Sequence, residues 1–144
     1  MPHLTFKTSS DGLAVRVLIG LRHTRIQQLR RAGMPIPAPK ELRAIFDTGT
    51  DVTAVSESSL SHLGMQPVGT ELVTTPGGVA IVSRYRISLS LPSEDRSAQL
   101  SLPEMDVLTM AHPPIGFDML IGMDVLADCL LLVDGKARRF TLAF

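Results

Sequence analysis

Apolar and polar residues alternate over short stretches separated by turn-forming residues, and this period of two predicts strands along most of the chain. Residues 13–21, LAVRVLIGL, alternate as a strand, and residues 3–8 form a shorter one before an SSDG turn, so the pattern predicts an opening hairpin. The period then changes. In LRHTRIQQLRRAG, Ile26 and Leu29 share a helical face, Thr24 and Gln27 stand at capping-box spacing, Arg30 and Arg31 occupy the last turn, and Gly33 is a stop. A short helix is predicted there. The three alternating prolines of MPIPAPK fix φ and impose an extended connector, which leads to a brief apolar strand at 42–46 ending on Asp47.

Beyond Asp47, residues 56–63 fit a helical turn closed by Gly64. Residues 71–75 and 79–91 flank the turn-forming triplet Pro76, Gly77 and Gly78, and the second arm puts Val79, Ile81, Tyr85, Ile87, Leu89 and Leu91 on one face. A long hairpin with one apolar side follows. After an SEDR turn, Ala98, Leu100 and Leu102 alternate into a Met-rich stretch and a loop holding His112, Pro113 and Pro114. DMLIGMDVLADC then reads as strand, glycine and one or two helical turns, and LLLVDGKARRFTLAF as a hairpin turning at Asp134 and Gly135. The final alternation, Phe140 to Phe144, predicts a strand that pairs with the same strand of a second copy, or else an edge strand of the monomer.

Composition narrows the class. With 144 residues and 44% hydrophobic content, the chain is the size of one domain, 1–144, with a sizeable core. Fourteen basic and fourteen acidic residues cancel, so the footprint expected for nucleic acid is missing. No stretch approaches the roughly 20 apolar residues that span a bilayer, and the start lacks a signal-peptide pattern, so no membrane insertion is expected. Cys129 is the only cysteine, which excludes an internal disulfide or zinc knuckle and suits a reducing, cytoplasmic setting. His3, His23, His62 and His112 are scattered without ligand spacing, so no metal site is predicted.

The informative segment is ELRAIFDTGTDVTAVS, where an apolar strand delivers Asp47 directly into Thr48 and Gly49. By composition a D-T-G arises in roughly one chain in fifty of this length, and Asp and Gly are ordinary turn residues, so its context has to decide. A glycine-tipped hairpin follows it, and then Leu120, Ile121 and Gly122 ahead of a short helix. In that order AIFDTGT, the PGG hairpin and LIGMDVL resemble the retropepsin-like aspartic peptidases, in particular non-viral, bacterial members. The resemblance runs from about residue 13 to the end, leaving 22–41 as an insertion.

That resemblance implies an all-β, single-lobe acid-protease barrel with a flap hairpin, one short C-terminal helix and an inserted short helix. It implies Asp47 as the catalytic carboxylate, Thr48 as the residue whose hydroxyl crosses a dimer axis, and Gly49 and Thr50 as the rest of the active-site loop. Gly77, Gly78 and Val79 become the flap tip over bound peptide, and Leu120, Ile121 and Gly122 the support beneath the loop. Asp51 would contact substrate backbone, but viral relatives pair this acid with an arginine soon after the second glycine. Here Met123 and Asp124 stand there, which leaves a turn role for Asp51 equally open.

Cleaving a peptide bond without a metal or nucleophilic side chain takes a base to activate water and an acid to protonate the departing nitrogen. Two carboxyls in contact cannot easily both ionise, so together they hold one proton and supply both roles. The chain has one D-T-G, and Asp11-Gly12 and Asp134-Gly135 read as turns. A symmetric homodimer acting on peptide or protein substrate, without a cofactor, is therefore expected. The competing class is a non-catalytic dimerisation or peptide-binding module on the same fold. A metal hydrolase is disfavoured by the histidine spacing.

Overall fold

The computed structural model describes residues 1–144. Strand β2 (Ala14–Leu21) turns Val15, Val17 and Ile19 inward and Arg16 outward, and it pairs antiparallel with β3 (Lys40–Phe46), whose Leu42, Ala44 and Phe46 are buried. β8 (Met119–Ile121) lies parallel to β3, and β4 (Ala54–Ser56) lies antiparallel to β8 on its far side. From β4 the sheet continues through β7 (Gln99–Met110) to β6 (Gly78–Pro92), and β6 returns to pair with β2. The order β2-β3-β8-β4-β7-β6 thus closes into a six-stranded barrel, the predicted all-β architecture.

β6 is longer than the barrel needs. Residues 87–90 close the barrel against β2, whereas 78–84 pair with β5 (Gly69–Thr75) and project as a hairpin. The predicted apolar face is continuous along β6, but its surroundings change. Ile87, Leu89 and Leu91 are buried in the barrel, while Val79 and Ile81 are exposed because the strand has outrun the core. The Met-rich stretch after Leu102 is no separate connector, since β7 runs on to Met110.

The helices are short. α1 (His23–Arg31) forms where predicted, yet its capping box does not: Arg22 is the N-cap, without a side-chain cap, and Thr24 Oγ1 donates instead to Glu104 at 2.6 Å. The same charged oxygen on β7 also accepts the Thr24 amide at 3.2 Å, the group that the Gln27 side chain would take in a capping box. α2 (Glu57–Ser61) buries Leu60, and Gly64 ends the turn at φ 64°. α3 (Met123–Leu126) follows Gly122 and buries Val125 and Leu126.

Two strand pairings differ from expectation. β1 (His3–Lys7) does not form a hairpin with β2, because both edges of β2 are taken by β3 and β6. It pairs instead with β10 (Arg139–Ala143), aligning Leu4 with Leu142 and Phe6 with Phe140, whose rings stack at 5.2 Å. Only a single bridge, Ser9 to Gly12, remains of the SSDG turn. The last strand is neither an edge nor free for a second copy. β10 lies in the middle of a three-stranded sheet, between β1 and β9 (Leu130–Asp134), so its backbone groups are committed on both sides.

This small sheet and the barrel share one core. Phe140 is the joint, since its ring also meets Phe46 edge-on at 5.9 Å, and Phe46 directly precedes Asp47. Phe140→Ala is expected to lower the unfolding free energy by about 3–5 kcal/mol, measured by urea titration; a loss under about 1 kcal/mol would show that the ring is not a core joint.

Candidate active site

β3 ends at Phe46, and the chain turns sharply through Asp47, Thr48 and Gly49. The Asp47 carboxylate is held by its own loop: Oδ1 accepts the Gly49 N–H at 2.9 Å and Oδ2 accepts the Thr50 hydroxyl at 3.0 Å. A side chain on Gly49 would stand 3.2 Å from Oδ1, so glycine keeps this approach open. Asp47 is half-buried, whereas Thr48 and Gly49 are exposed. Asp47 is absent from the linings of the four principal cavities.

The loop is fastened from below. The Asp47 amide donates to the Ile121 carbonyl at 2.9 Å, the Met123 amide to Thr50 at 2.7 Å, and the Asp124 amide to Asp51 at 3.0 Å. Ile121 and Gly122 are buried and Leu120 is half-buried. A Cβ on Gly122 would lie 2.6 Å from the Thr50 carbonyl oxygen and 3.1 Å from the Val52 carbonyl carbon, so only glycine allows the two segments to touch. Its φ of −94° is available to any residue; space is the constraint.

Thr53 and Asp124 complete the fastening. Thr53 is fully buried, its hydroxyl donating to Asp124 Oδ1 at 2.7 Å and accepting the Gly122 amide at 3.1 Å, while its own amide donates to Asp124 Oδ2 at 2.9 Å. Sequence reading missed both as structural partners. The available signal was a threonine among apolar residues at the start of β4, together with an acid two places after Gly122.

The β5–β6 hairpin turns at Pro76 and Gly77, with Thr75 Oγ1 donating to the Gly78 carbonyl at 2.8 Å and Gly78 at φ 115°, which favours glycine. Leu72 pairs with Ile81 and Thr74 with Val79, so Leu72, Val79 and Ile81 share one exposed face. At the hairpin base, Glu71 and Arg84 line a cavity of about 430 Å³ together with Val52 after the Asp47 loop and Asp124 and Val125 of α3. Asp106 also lines it, and the hydrogen bond it accepts from Arg86 holds its carboxyl below the usual carboxylate range.

An aspartyl protease family model matches residues 23–125, which is most of the chain and includes the Asp47 loop, the hairpin and nearly all of α3. The chain belongs to the aspartyl protease family. No curated protein matches it. Among solved structures it is similar to a retropepsin-like aspartic protease from Rickettsia conorii, with 11% identity over 99% of this chain and 91% of that one and a TM-score of 0.62. It is also similar to the simian foamy virus protease, with 19% identity over 77% and 88% of the chains and a TM-score of 0.44.

In this member of the aspartyl protease family the segment 22–41, set aside as an insertion on resemblance, falls almost entirely inside the family match. β9 and β10 fall outside it. The structure brings Asp47, Thr48, Gly49, Thr50, Leu120, Ile121 and Gly122 together, while Gly77, Gly78 and Val79 stand at the hairpin tip. Asp51 is exposed and ties to α3 through its backbone carbonyl. Cys129 is half-buried, and burial, with Asp128 nearby, pushes its thiol above its ordinary range, which suits packing rather than nucleophilic work. No grouping of His, Cys, Asp and Glu converges in a metal-binding arrangement.

Gly122→Ala is expected to force the Asp47 loop off α3, lowering stability by about 1–3 kcal/mol as overpacking does. A melting curve indistinguishable from that of the unaltered protein would show that the loop does not depend on this contact.

Proposed function

We propose that this aspartyl protease is an endopeptidase whose active site is assembled from Asp47 of two identical subunits. The observation that carries the proposal is the Asp47 carboxylate itself, oriented by Gly49 and Thr50 on an exposed loop, with no second Asp-Thr-Gly in the chain to partner it. A twofold axis beside the loop supplies the second carboxylate. The exposed Thr48 and Gly49 stand at the loop apex, where a partner loop and substrate backbone would meet them.

One ionised Asp47 takes a proton from water as the water oxygen attacks the scissile carbonyl carbon. The protonated partner donates to the carbonyl oxygen, stabilising the charge that develops there. The Asp47 that took the proton from water then passes it to the amide nitrogen while a hydroxyl proton of the tetrahedral diol returns to the other Asp47, and the C–N bond breaks to leave a new carboxyl and a new amine. The carboxyl pair ends with the one proton it began with, so its titration belongs to the pair.

An extended peptide fits as an added strand beneath the hairpin. Leu72, Val79 and Ile81 form an exposed apolar face that covering side chains of a substrate would remove from water. The face continues the line of Ile87, Leu89 and Leu91 on the barrel interior, which directs it toward the barrel's open end. The reading therefore favours substrates with apolar residues beside the cut, with Gly77 and Gly78 supplying the backbone freedom for the hairpin to close.

The test is digestion of a peptide library by the wild-type protein and by Asp47→Asn. Loss of an acid–base group is expected to lower kcat/KM by about 10²–10⁴-fold or more; equal cleavage by both proteins would reject the assignment. Absence of cleavage by wild type across pH, with retained peptide binding, would make the fold a binding module.

A further inference from the structure

Between α1, the proline connector and the link from α2 to β5 lies a cavity of about 520 Å³ to which the Asp47 loop contributes nothing. Its floor is apolar. Leu21 at the end of β2, Leu29 of α1 and Leu63 after α2 are buried there, with Met65 and Val68 beside them. Its charged lining is of one sign: Arg22, Arg25 and Arg86 line it with the neutral Gln28 and Gln66, and no aspartate or glutamate does.

The three arginines are not equally engaged. Arg86 alternates with the inward Ile87, so it points away from the core, and its guanidinium is held by Asp106 at 2.7 Å. Arg22 is close enough to Glu104 and Asp106 to help hold both carboxyls below their ordinary range, yet it joins no salt bridge. Arg25 joins none either, and its Nη1 donates to the neutral side chain of Gln28 at 3.3 Å. Arg22 is the N-cap of α1 and Arg25 lies in its first turn, where the helix dipole favours negative charge. That turn has no acid of its own and receives one carboxylate oxygen, from Glu104 on β7 at Thr24.

We propose that this cavity binds an acidic stretch of a peptide chain, its carboxylates against Arg22 and Arg25 and an aliphatic side chain on the leucine floor. Alternating acidic and aliphatic residues match the lining, because carboxylates form charge-assisted hydrogen bonds with guanidinium groups and the floor removes apolar surface from water. The volume is that of a site for a few side chains. A bare phosphate chain would leave the leucines uncovered, and a net charge of zero supplies no broad field for nucleic acid. The site goes beyond the peptidase reading, since neither Asp47 nor a second copy takes part in it. It nonetheless adjoins the hairpin: Gln66 and Val68 lead into β5, and the Val68 amide donates to the Arg84 carbonyl on β6 at 2.7 Å. A peptide held there bears on the root of the hairpin.

The test follows the fluorescence anisotropy of a labelled Leu-Glu-Leu-Glu-Leu peptide on the full chain carrying Asp47→Asn, so that the probe stays intact, against the same peptide with Gln for Glu. Binding of the acidic peptide is expected to be tighter by roughly tenfold and to weaken as salt rises. Adding Arg25→Glu is expected to remove most of that preference. Arg30→Glu, the same change on the same helix but outside the cavity, is expected to keep it. Should Arg25→Glu unfold, as judged by circular dichroism, Arg25→Gln is read in its place. Any of four results would overturn the proposal: no binding, equal binding of the two peptides, equal effects at Arg25 and Arg30, or an oligothymidylate that displaces the probe as well as the unlabelled peptide does. None of them touches the Asp47 assignment, which is decided by cleavage.

Discussion

Everything in the candidate site depends on the approach of two backbone segments that only a missing side chain permits. At Gly122 the chain passes so close to the Thr50 carbonyl that a methyl group would sit inside van der Waals distance of it. Because the two touch, the first amides of α3 reach the carbonyls of Thr50 and Asp51, and the Asp47 amide reaches Ile121. The loop that carries the carboxylate is thereby bonded along its length to β8 and α3, while the carboxylate itself is oriented by Gly49 and Thr50 of the same loop. Thr53 and Asp124 close the same arrangement from the other end with buried hydrogen bonds, which are costly to leave unmade.

The barrel explains why β8, a strand of three residues, is a dependable platform. β8 is inserted between β3, which delivers Asp47, and β4, which leaves the loop, with parallel pairing on one side and antiparallel on the other. The entering and leaving strands are thus spaced by a third element that belongs to a remote part of the chain. Beneath them the Phe6, Phe140 and Phe46 rings connect the barrel to the terminal sheet. Order in the loop, packing of the core and the terminal sheet thus become parts of one structure.

Much of the architecture was legible because it follows from local rules. Alternation marked β2, β3 and the β5–β6 hairpin, a change of period marked α1, and the glycines at 64, 77 and 78 marked turns. The errors have one physical source. Thr24 and Gln27 had capping spacing, but Glu104 from β7 offered the hydroxyl a charged acceptor. Likewise β1 had a turn toward β2, yet Leu4 and Phe6 found buried partners only in Leu142 and Phe140, more than a hundred residues away. Contacts between distant segments outweighed local preference, and neither leaves a trace in a window of a dozen residues.

The amino-acid order by itself determined most element types and the turn in which β3 delivers Asp47, since these depend on periodicity and turn preference, whereas the place of Gly122 against that turn was implied only by the family resemblance. The pairing of β1 with β10, the central place of the last strand and the burial of Thr53 against Asp124 were decided only in three dimensions. The reason is that a strand's partner is chosen by which edges remain free and which apolar faces remain uncovered once every other segment is in place. For this chain that selection left β9 as the aliphatic edge of its small sheet, with its core side still open.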